Sequence, residues 1–321
     1  MNIRICHHDS QGLANDADIL KHALNTRYPT ATVDVVRYPE QCLIQPRSVS
    51  TSPVNVQFFL EHIHPAYITT ATRNVFIPNP EWINHTDLEM AKSDYVDHVV
   101  AKTSSGYVSL KKRFGSKVSF WGWTSIDRLD ESVWKTFDEC LHIKGCSRFK
   151  NSQLVMDTWL KHPEWPLLHV VSYGNFEQNG YLEINRPFVD VAENIRLYQR
   201  KLNEAEIKTL MNRSGIHICP SQMEGFGHYI NEARSCGAYV ITTRGAPMSE
   251  LITSEIGSLI DAQTEHEQCL SRRYVITNES FENTIEEVLK TSHHLLREKA
   301  AIGRAEFVAQ RNKFEENVSI Y

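Results

Sequence analysis

Apolar and polar residues alternate in short runs along most of the chain, and longer stretches with helical spacing separate those runs. NIRICHH (2–8) alternates and is rich in β-branched residues, which predicts a first strand. DSQGLANDADILKHALNTRYP follows, with Ala17, Leu20, Ala23 and Leu24 on one helical face, predicting an amphipathic helix from about Asn15. ATVDVVRYP (31–39), VNVQFFLEHI (54–63) and NVFIPNPEW (74–82) read as further strands. YVDHVVAKT (95–103) reads as a short buried segment, SSGYVSLKKRFG as a helix with a basic end, and KVSFWGWTS (117–125) as a strand. The boundary falls around 126–136, and the alternation then runs a second time. ECLHIKG (139–145), PLLHVVSYG (166–174), ENIRLYQ (193–199), GIHICPS (215–221) and AYVITTRG (238–245) read as strands. SQLVMDTWLKHP, LNEAEIKTLMNRS (202–214), GHYINEARSCG (227–237) and most of the stretch from Ser280 to Asn312 read as helices. Strands alternating with helices predict an α/β chain with largely parallel sheets in two doubly wound halves. Such halves place ligands at strand C-termini, facing a cleft between them.

Length supports the same division, because 321 residues exceed what one core usually holds. Hydrophobic content of 41% and charged content of 23% are ordinary for a globular protein. A net charge of −5 does not advertise a nucleic-acid or anionic-membrane partner. No run of 18 apolar residues exists and the start lacks an apolar signal core, so no membrane insertion is expected. The seven cysteines are scattered without a CxxC pair, which predicts reduced thiols and a cytoplasmic location. Among fifteen histidines there is no HExxH or HxxxH spacing, and EHIHP (61–65) fits strand alternation as well as metal binding. No metal site is expected.

The chemistry concentrates in two turns of the second half. PSQMEGFGHYINEARSCGAYVITT (220–243) places Met223, Glu224, Gly225, Phe226 and Gly227 between a strand and a helix, with Glu232 two turns later. Glycines let backbone amides approach a ligand, and a helix N-terminus favours an anion or an oxygen-rich sugar. Each glutamate can accept two hydrogen bonds from vicinal hydroxyls, although a pair at this spacing also arises on ordinary helices. The second turn, KGCSRFKNS (144–152), sets Arg148 and Lys150 before a helix N-terminus, where cations make sense with an anion between them. In the first half Gly12, Asn15 and Asp16 follow the first strand, with capping the commoner use of such an Asn-Asp pair. His64, Glu81 and Lys102 lie near predicted strand ends, and His62 or His64 is the candidate for a residue near a reacting centre. Lys111, Lys112, Arg113 and Lys117 form a basic run, usually a solvated helix face and otherwise a docking strip for a phosphorylated acceptor or nucleic acid.

The segment 220–243 resembles the signature of the retaining GT-B glycosyltransferases of family 4, PS-x-x-EGFG-x-x-x-x-EA-x-x-x-G followed by an apolar strand and a loop ending in Glu-Leu. Here GAPMSEL (245–251) supplies that ending, and NIRLYQRKLNEAEIKTLMNRSGIHICPS (194–221) is similar to the family's lead-in. KGCSRFKN resembles the family's Gly-Arg-…-Lys-Gly turn but departs from it, with Cys146 directly after Gly145 and the arginine at 148. The resemblance covers roughly 138–260. It implies a GT-B fold of two Rossmann-like lobes, an acceptor-binding lobe over 1–128 and a nucleotide-sugar lobe over 129–294. It also implies a terminal helix over 295–321 that returns to the first lobe.

The resemblance further implies transfer of a hexosyl or pentosyl group from a nucleotide-diphosphate sugar, UDP- or GDP-linked, with retention and without metal or other cofactor. By the same resemblance Glu224 binds the sugar and Glu232 the ribose. The amides of Gly225, Phe226 and Gly227 hold the sugar and distal phosphate. Arg148 and Lys150 neutralise the leaving diphosphate, and Tyr198 and Leu202 flank the base. The acceptor, which is a glycan, a small molecule or modified DNA, falls to the first half. Three other readings stand beside this one. They are a virus-type enzyme glycosylating hydroxymethylated DNA bases, a GT-B sugar-nucleotide epimerase, and a non-catalytic nucleotide-sugar binder.

Overall fold

The computed structural model describes residues 1–38, 52–173 and 188–320. The final residues of two predicted strands, Pro39 and Gly174, lie outside the described residues. The chain divides into two compact units. The first comprises Met1–Ile126, Glu267–Arg272 and Ala309–Tyr321, and the second Asp127–His266 and Arg273–Val308.

The first unit is built on β1 (Asn2–His8), α1 (Gln11–Arg27), β2 (Thr32–Tyr38), β3 (Val54–Leu60) and β4 (Ala71–Ile77). It continues with α2 (His85–Lys92), β5 (His98–Ala101), α3 (Ser104–Phe114) and β6 (Val118–Phe120). The strands form one parallel sheet in the order β2-β1-β3-β4-β5-β6. Its inner strands β1 and β3 are buried on both faces and read as nearly continuous buried runs. Helix α1 starts four residues earlier than its apolar spacing predicts, because Ser10 caps it by accepting the Leu13 amide at 3.2 Å. Asn15 and Asp16 are therefore inside the helix and not at its cap. Lys111, Lys112 and Arg113 occupy the last turn of α3, where cations favour the negative end of the helix. Lys117 Nζ donates to the carbonyls of Ser93 and Val96 at the end of α2, at 2.6 and 3.0 Å.

The second unit contains β7 (Thr136–Gly145), α4 (Ser152–Lys161), β8 (Leu167–Ser172), β9 (Val189–Ala192) and β10 (Ile195–Tyr198). Then come α5 (Glu204–Arg213), β11 (Ser214–Cys219), α6 (His228–Ser235), β12 (Tyr239–Thr243), α7 (Met248–Leu251) and β13 (Gly257–Ile260). Its sheet runs β13-β12-β11-β7-β8-β10-β9, parallel except for the antiparallel edge strand β9. A hairpin of β14 (Ala262–Gln268) and β15 (Ser271–Ile276) follows. The helical C-terminal stretch is two helices, α8 (Asn278–Lys290) and α9 (His293–Asn317), separated at Thr291 and Ser292. One apolar core lies between β7, β8, β10, β11 and β12 and the helices α4 and α8, with Trp159, Val170, Ile218 and Phe281 fully buried.

Residues 309–321 belong to the first unit, as the resemblance implies for a returning terminal helix. There the Phe314 ring meets Trp123 edge-on at 4.8 Å, and Asn317 and Gln310 donate to the carbonyls of Trp121 and Trp123. In the second unit Arg304 of the same helix grips Asp127 through two 2.8 Å hydrogen bonds. Among the described residues no helix is long and apolar enough to cross a membrane.

Candidate functional site: a glycine turn and its lysine

Strand β11 ends at Cys219, and residues 220–227 turn the chain into α6. Gly227 caps that helix with φ +102°, a conformation side chains rarely adopt, and a Cβ there would lie 3.1 Å from Leu251 Cδ1. Gly227 offers no side chain to cap α6, and the positive end of the helix dipole lies at this turn.

The turn after β7 is fastened to this one. The Gln222 amide donates to the Phe149 carbonyl at 2.8 Å, and Asn151 Nδ2 to the Pro220 carbonyl at 2.8 Å. Gln222 Nε2 donates to Asn151 Oδ1 at 2.6 Å, and Arg273 Nε to Gln222 Oε1 at 2.7 Å. Asn151 sits in the left-handed region at φ +49°, a conformation asparagine tolerates better than most residues. Adjacent parallel strands β7 and β11 bring the two turns together, and these side-chain amides fix their register.

Lys150 and Glu224 are brought into one electrostatic neighbourhood. Lys150 Nζ lies 3.7 Å from the centre of the Tyr229 ring and donates weakly to the Ile143 carbonyl at 3.3 Å. Burial lowers the Lys150 pKa, and the charges of Glu224 and Glu232 partly oppose that. Burial raises the Glu224 pKa, and Lys150 and the Ser221 hydroxyl oppose it. Ser221 Oγ donates to Glu224 Oε1 at 2.6 Å and lies 2.5 Å from the Tyr229 hydroxyl. A serine hydroxyl has one hydrogen, so Tyr229 donates to Ser221 and Ser221 to Glu224.

The remaining predicted residues fall in several places. Arg148 is exposed, with its guanidinium 5.2 Å from the Phe149 ring, so of the two cations in the turn it is Lys150 that faces the glutamates. Glu232 is 9% exposed, and Arg128 lies 3.4 Å from its Oε1 while also pairing with Glu204. Met223 and Phe226 pack their side chains inward, leaving their backbone to the turn. Tyr198 and Leu202 share a buried cluster with Leu141 and Met211, and the Tyr198 hydroxyl lies 3.2 Å from His169 Nδ1. These two side chains act as core here. Gly225 is half-buried on the turn itself.

The first-unit candidates are similarly redistributed. Asp16 and Lys102 form a buried ion pair at 2.5 Å, joined by Trp123 Nε1 on Asp16 and Asn79 Oδ1 on Lys102. Gly12 is exposed in the first turn of α1, and Asn15 accepts from Gln11 at 3.2 Å. Glu81 is buried at 3% exposure. His64 is a structural cap: 1% exposed, it accepts the Ala66 amide at 3.2 Å and is held edge-on by Tyr38 and Tyr67. Of the two histidines in EHIHP it is His62 that joins a polar cluster, with Nδ1 2.7 Å from the buried carboxylate of Asp87 and Nε2 3.8 Å from Glu61. Glu61 adopts φ +67°. Sequence reasoning missed Arg128, Ser221, Tyr229, Glu61 and Asp87. Ser221 and Tyr229 lie inside the 220–243 motif and Glu61 inside EHIHP without a role read for them, and Asp87 carried the capping box Asn84–Asp87 at the start of α2. Among the described residues no group of three or more His, Cys, Asp or Glu side chains is arranged to hold a metal ion.

Residues 164–291 match the family model described as Glycosyl transferases group 1. No curated protein sequence matches the chain. Solved structures do. Sucrose-phosphate synthase from Thermosynechococcus elongatus is 12% identical with a TM-score of 0.72, covering 98% of this chain and 96% of that one. Anabaena HepE in complex with UDP and glucose is 13% identical with a TM-score of 0.66, covering 98% and 97%. WaaG, a glycosyltransferase involved in lipopolysaccharide biosynthesis, is 14% identical with a TM-score of 0.64, covering 98% of both chains. The chain therefore has the fold of the GT-B glycosyltransferases, and its second unit carries the sequence match to glycosyl transferases group 1.

Proposed function

We propose that the protein is a glycosyltransferase that moves a sugar from a nucleotide-diphosphate sugar to an acceptor with retention of configuration. The observation that carries this reading is Lys150. It lies over the Tyr229 ring in the first turn of α6 and feels the charge of Glu224, in the unit with the group 1 match. A cation, a glycine turn and a helix dipole at one point suit a diphosphate whose charge grows as it leaves. That arrangement supplies the charge a divalent metal supplies elsewhere, so turnover survives chelation. Glu224 grips sugar hydroxyls, Glu232 the ribose, and the amides of residues 225–227 the distal phosphate. UDP is the first nucleotide to try, because the Anabaena neighbour was solved with UDP and glucose. Arg148 contributes only distant charge. The acceptor falls to the first unit, where His62 and Glu61 stand beyond the end of β3. The basic run at 111–113 has a sufficient account as the C-terminal turn of α3, which leaves modified DNA without a specific support.

A panel of nucleotide sugars screened by thermal shift tests the donor reading. A donor present at 100 times its Kd stabilises by about 2.7 kcal/mol. Incubating the best donor with EDTA and a set of candidate acceptors then separates three outcomes. Transfer supports the reading, an epimerised donor replaces it with the epimerase, and binding without turnover replaces it with a binder. No stabilisation by any donor overturns it.

A further inference from the structure

Tyr229 meets Lys150 directly and reaches Glu224 of the glycine turn through Ser221. Its ring is buried in the unit, and its face receives the Lys150 ammonium at 3.7 Å from the ring centre. An ammonium at that distance over an aromatic face gains a cation–π attraction that partly replaces lost hydration. Its hydroxyl works on the other residue. It donates to Ser221 Oγ at 2.5 Å, which frees the Ser221 hydrogen for Glu224 Oε1 at 2.6 Å. Without the tyrosine hydroxyl, Ser221 Oγ loses the donor that anchors it and that strengthens its own hydrogen bond to Glu224. Lys150 otherwise donates only a long hydrogen bond to the Ile143 carbonyl among the described residues. A flexible four-carbon stem held by that contact alone has no fixed position.

We infer that Tyr229 is a positioning residue with two separable functions: its ring seats Lys150 for the diphosphate, and its hydroxyl orients Glu224 for the sugar through Ser221. The inference rests on the donor reading above. It divides donor recognition between two parts of one side chain, so two substitutions separate them. Tyr229→Phe keeps the ring and removes the hydroxyl. Tyr229→Leu removes both. The probes are UDP and UDP-glucose, titrated by calorimetry. A ligand-independent readout is the NMR signal of 13C-methylated Lys150 in the unliganded protein, displaced by the ring current of Tyr229.

The expected result for Tyr229→Phe is UDP affinity within about twofold of wild type, UDP-glucose affinity weakened about fivefold, and the Lys150 signal unmoved. For Tyr229→Leu the Lys150 signal returns to the ordinary lysine position and UDP itself weakens about tenfold. A core residue with no positioning role moves both ligands equally, or neither, in the two variants, and that result overturns the inference. So does a Lys150 signal that Tyr229→Leu leaves unchanged. If the wild-type protein binds neither probe while the Lys150 signal is still ring-shifted, the donor reading fails and takes the role of Tyr229 with it. If the wild type binds both probes and only the split between variants is missing, the donor reading stands and the inference alone fails.

Discussion

Each unit holds a lysine close to a carboxylate near the end of a parallel sheet, and the two pairs are built differently. In the first unit Lys102 and Asp16 meet at 2.5 Å with side chains 2% and 3% exposed, and Trp123 and Asn79 occupy further hydrogen-bonding positions. In the second, Lys150 and Glu224 are partly buried and sense one another's charge, but each is held by something else: Lys150 by Tyr229 and Ile143, Glu224 by Ser221. A pair closed on itself uses its attraction internally and locks a core. A pair held apart leaves ammonium protons and carboxylate lone pairs for a third group. Proximity of opposite charges is thus a poor guide to a site, and how each charge is held is a better one.

Substitution can break that comparison, and the largest effect is expected in the closed pair. Lys102→Ala leaves Asp16 buried and uncompensated, and denaturant unfolding is expected to show a loss of about 3–5 kcal/mol. Lys150→Ala is expected to change stability by less than about 1 kcal/mol, because burial already works against its charge. Equal losses in the two variants contradict the distinction.

Acid acts next. In the second unit His142 lies between the Ile218 carbonyl and Ser152 Oγ, and burial pushes its pKa down to about 4; burial likewise takes His217 to about 3. Both are neutral in the folded state at pH 7. As pH falls below about 6.5 the unfolded chain takes up protons that the folded unit refuses, so stability present above that pH declines toward pH 4 and then pH 3. Thermal midpoints measured from pH 7 to pH 4 are expected to drop, and His217→Gln to flatten the drop.

A smaller effect sharpens the description of the open pair. Removing a charged hydrogen bond costs about 1.5–3 kcal/mol, or roughly ten- to a hundredfold in affinity. Glu232→Ala is expected to weaken UDP and UDP-glucose alike, whereas Glu224→Ala weakens UDP-glucose and leaves UDP nearly untouched. Calorimetry with both ligands checks this. Identical, wild-type binding by both variants contradicts the assigned roles.

Much of this architecture was legible in the sequence because parallel strands buried on both faces leave long apolar runs, as in NIRICHH and VNVQFFL. The hairpin over 262–276 was not, since AQTEHEQ is mostly polar and gives no alternation to read. Helix α2 was not legible either, since its eight residues, HTDLEMAK, are too few and too polar to show helical apolar spacing beyond the capping box at its start. At the site, the glycine turn and both glutamates were visible as a motif. The closeness of Lys150 to Tyr229 was not, because it depends on β7 and β11 lying side by side. Asp16 and Lys102 read as ligand-binding candidates for the same reason: types and strand-end positions are local, whereas the 2.5 Å contact that closes them is not.

The central claim is that Lys150, and not its exposed neighbour Arg148, carries the diphosphate. Titrating UDP into Lys150→Met and Arg148→Met by calorimetry, with thermal midpoints recorded alongside, tests it most directly. The account predicts that Lys150→Met weakens UDP roughly ten- to a hundredfold with its thermal midpoint kept, and that Arg148→Met stays within about threefold of wild type. Wild-type affinity in Lys150→Met, or a larger loss in Arg148→Met, contradicts it.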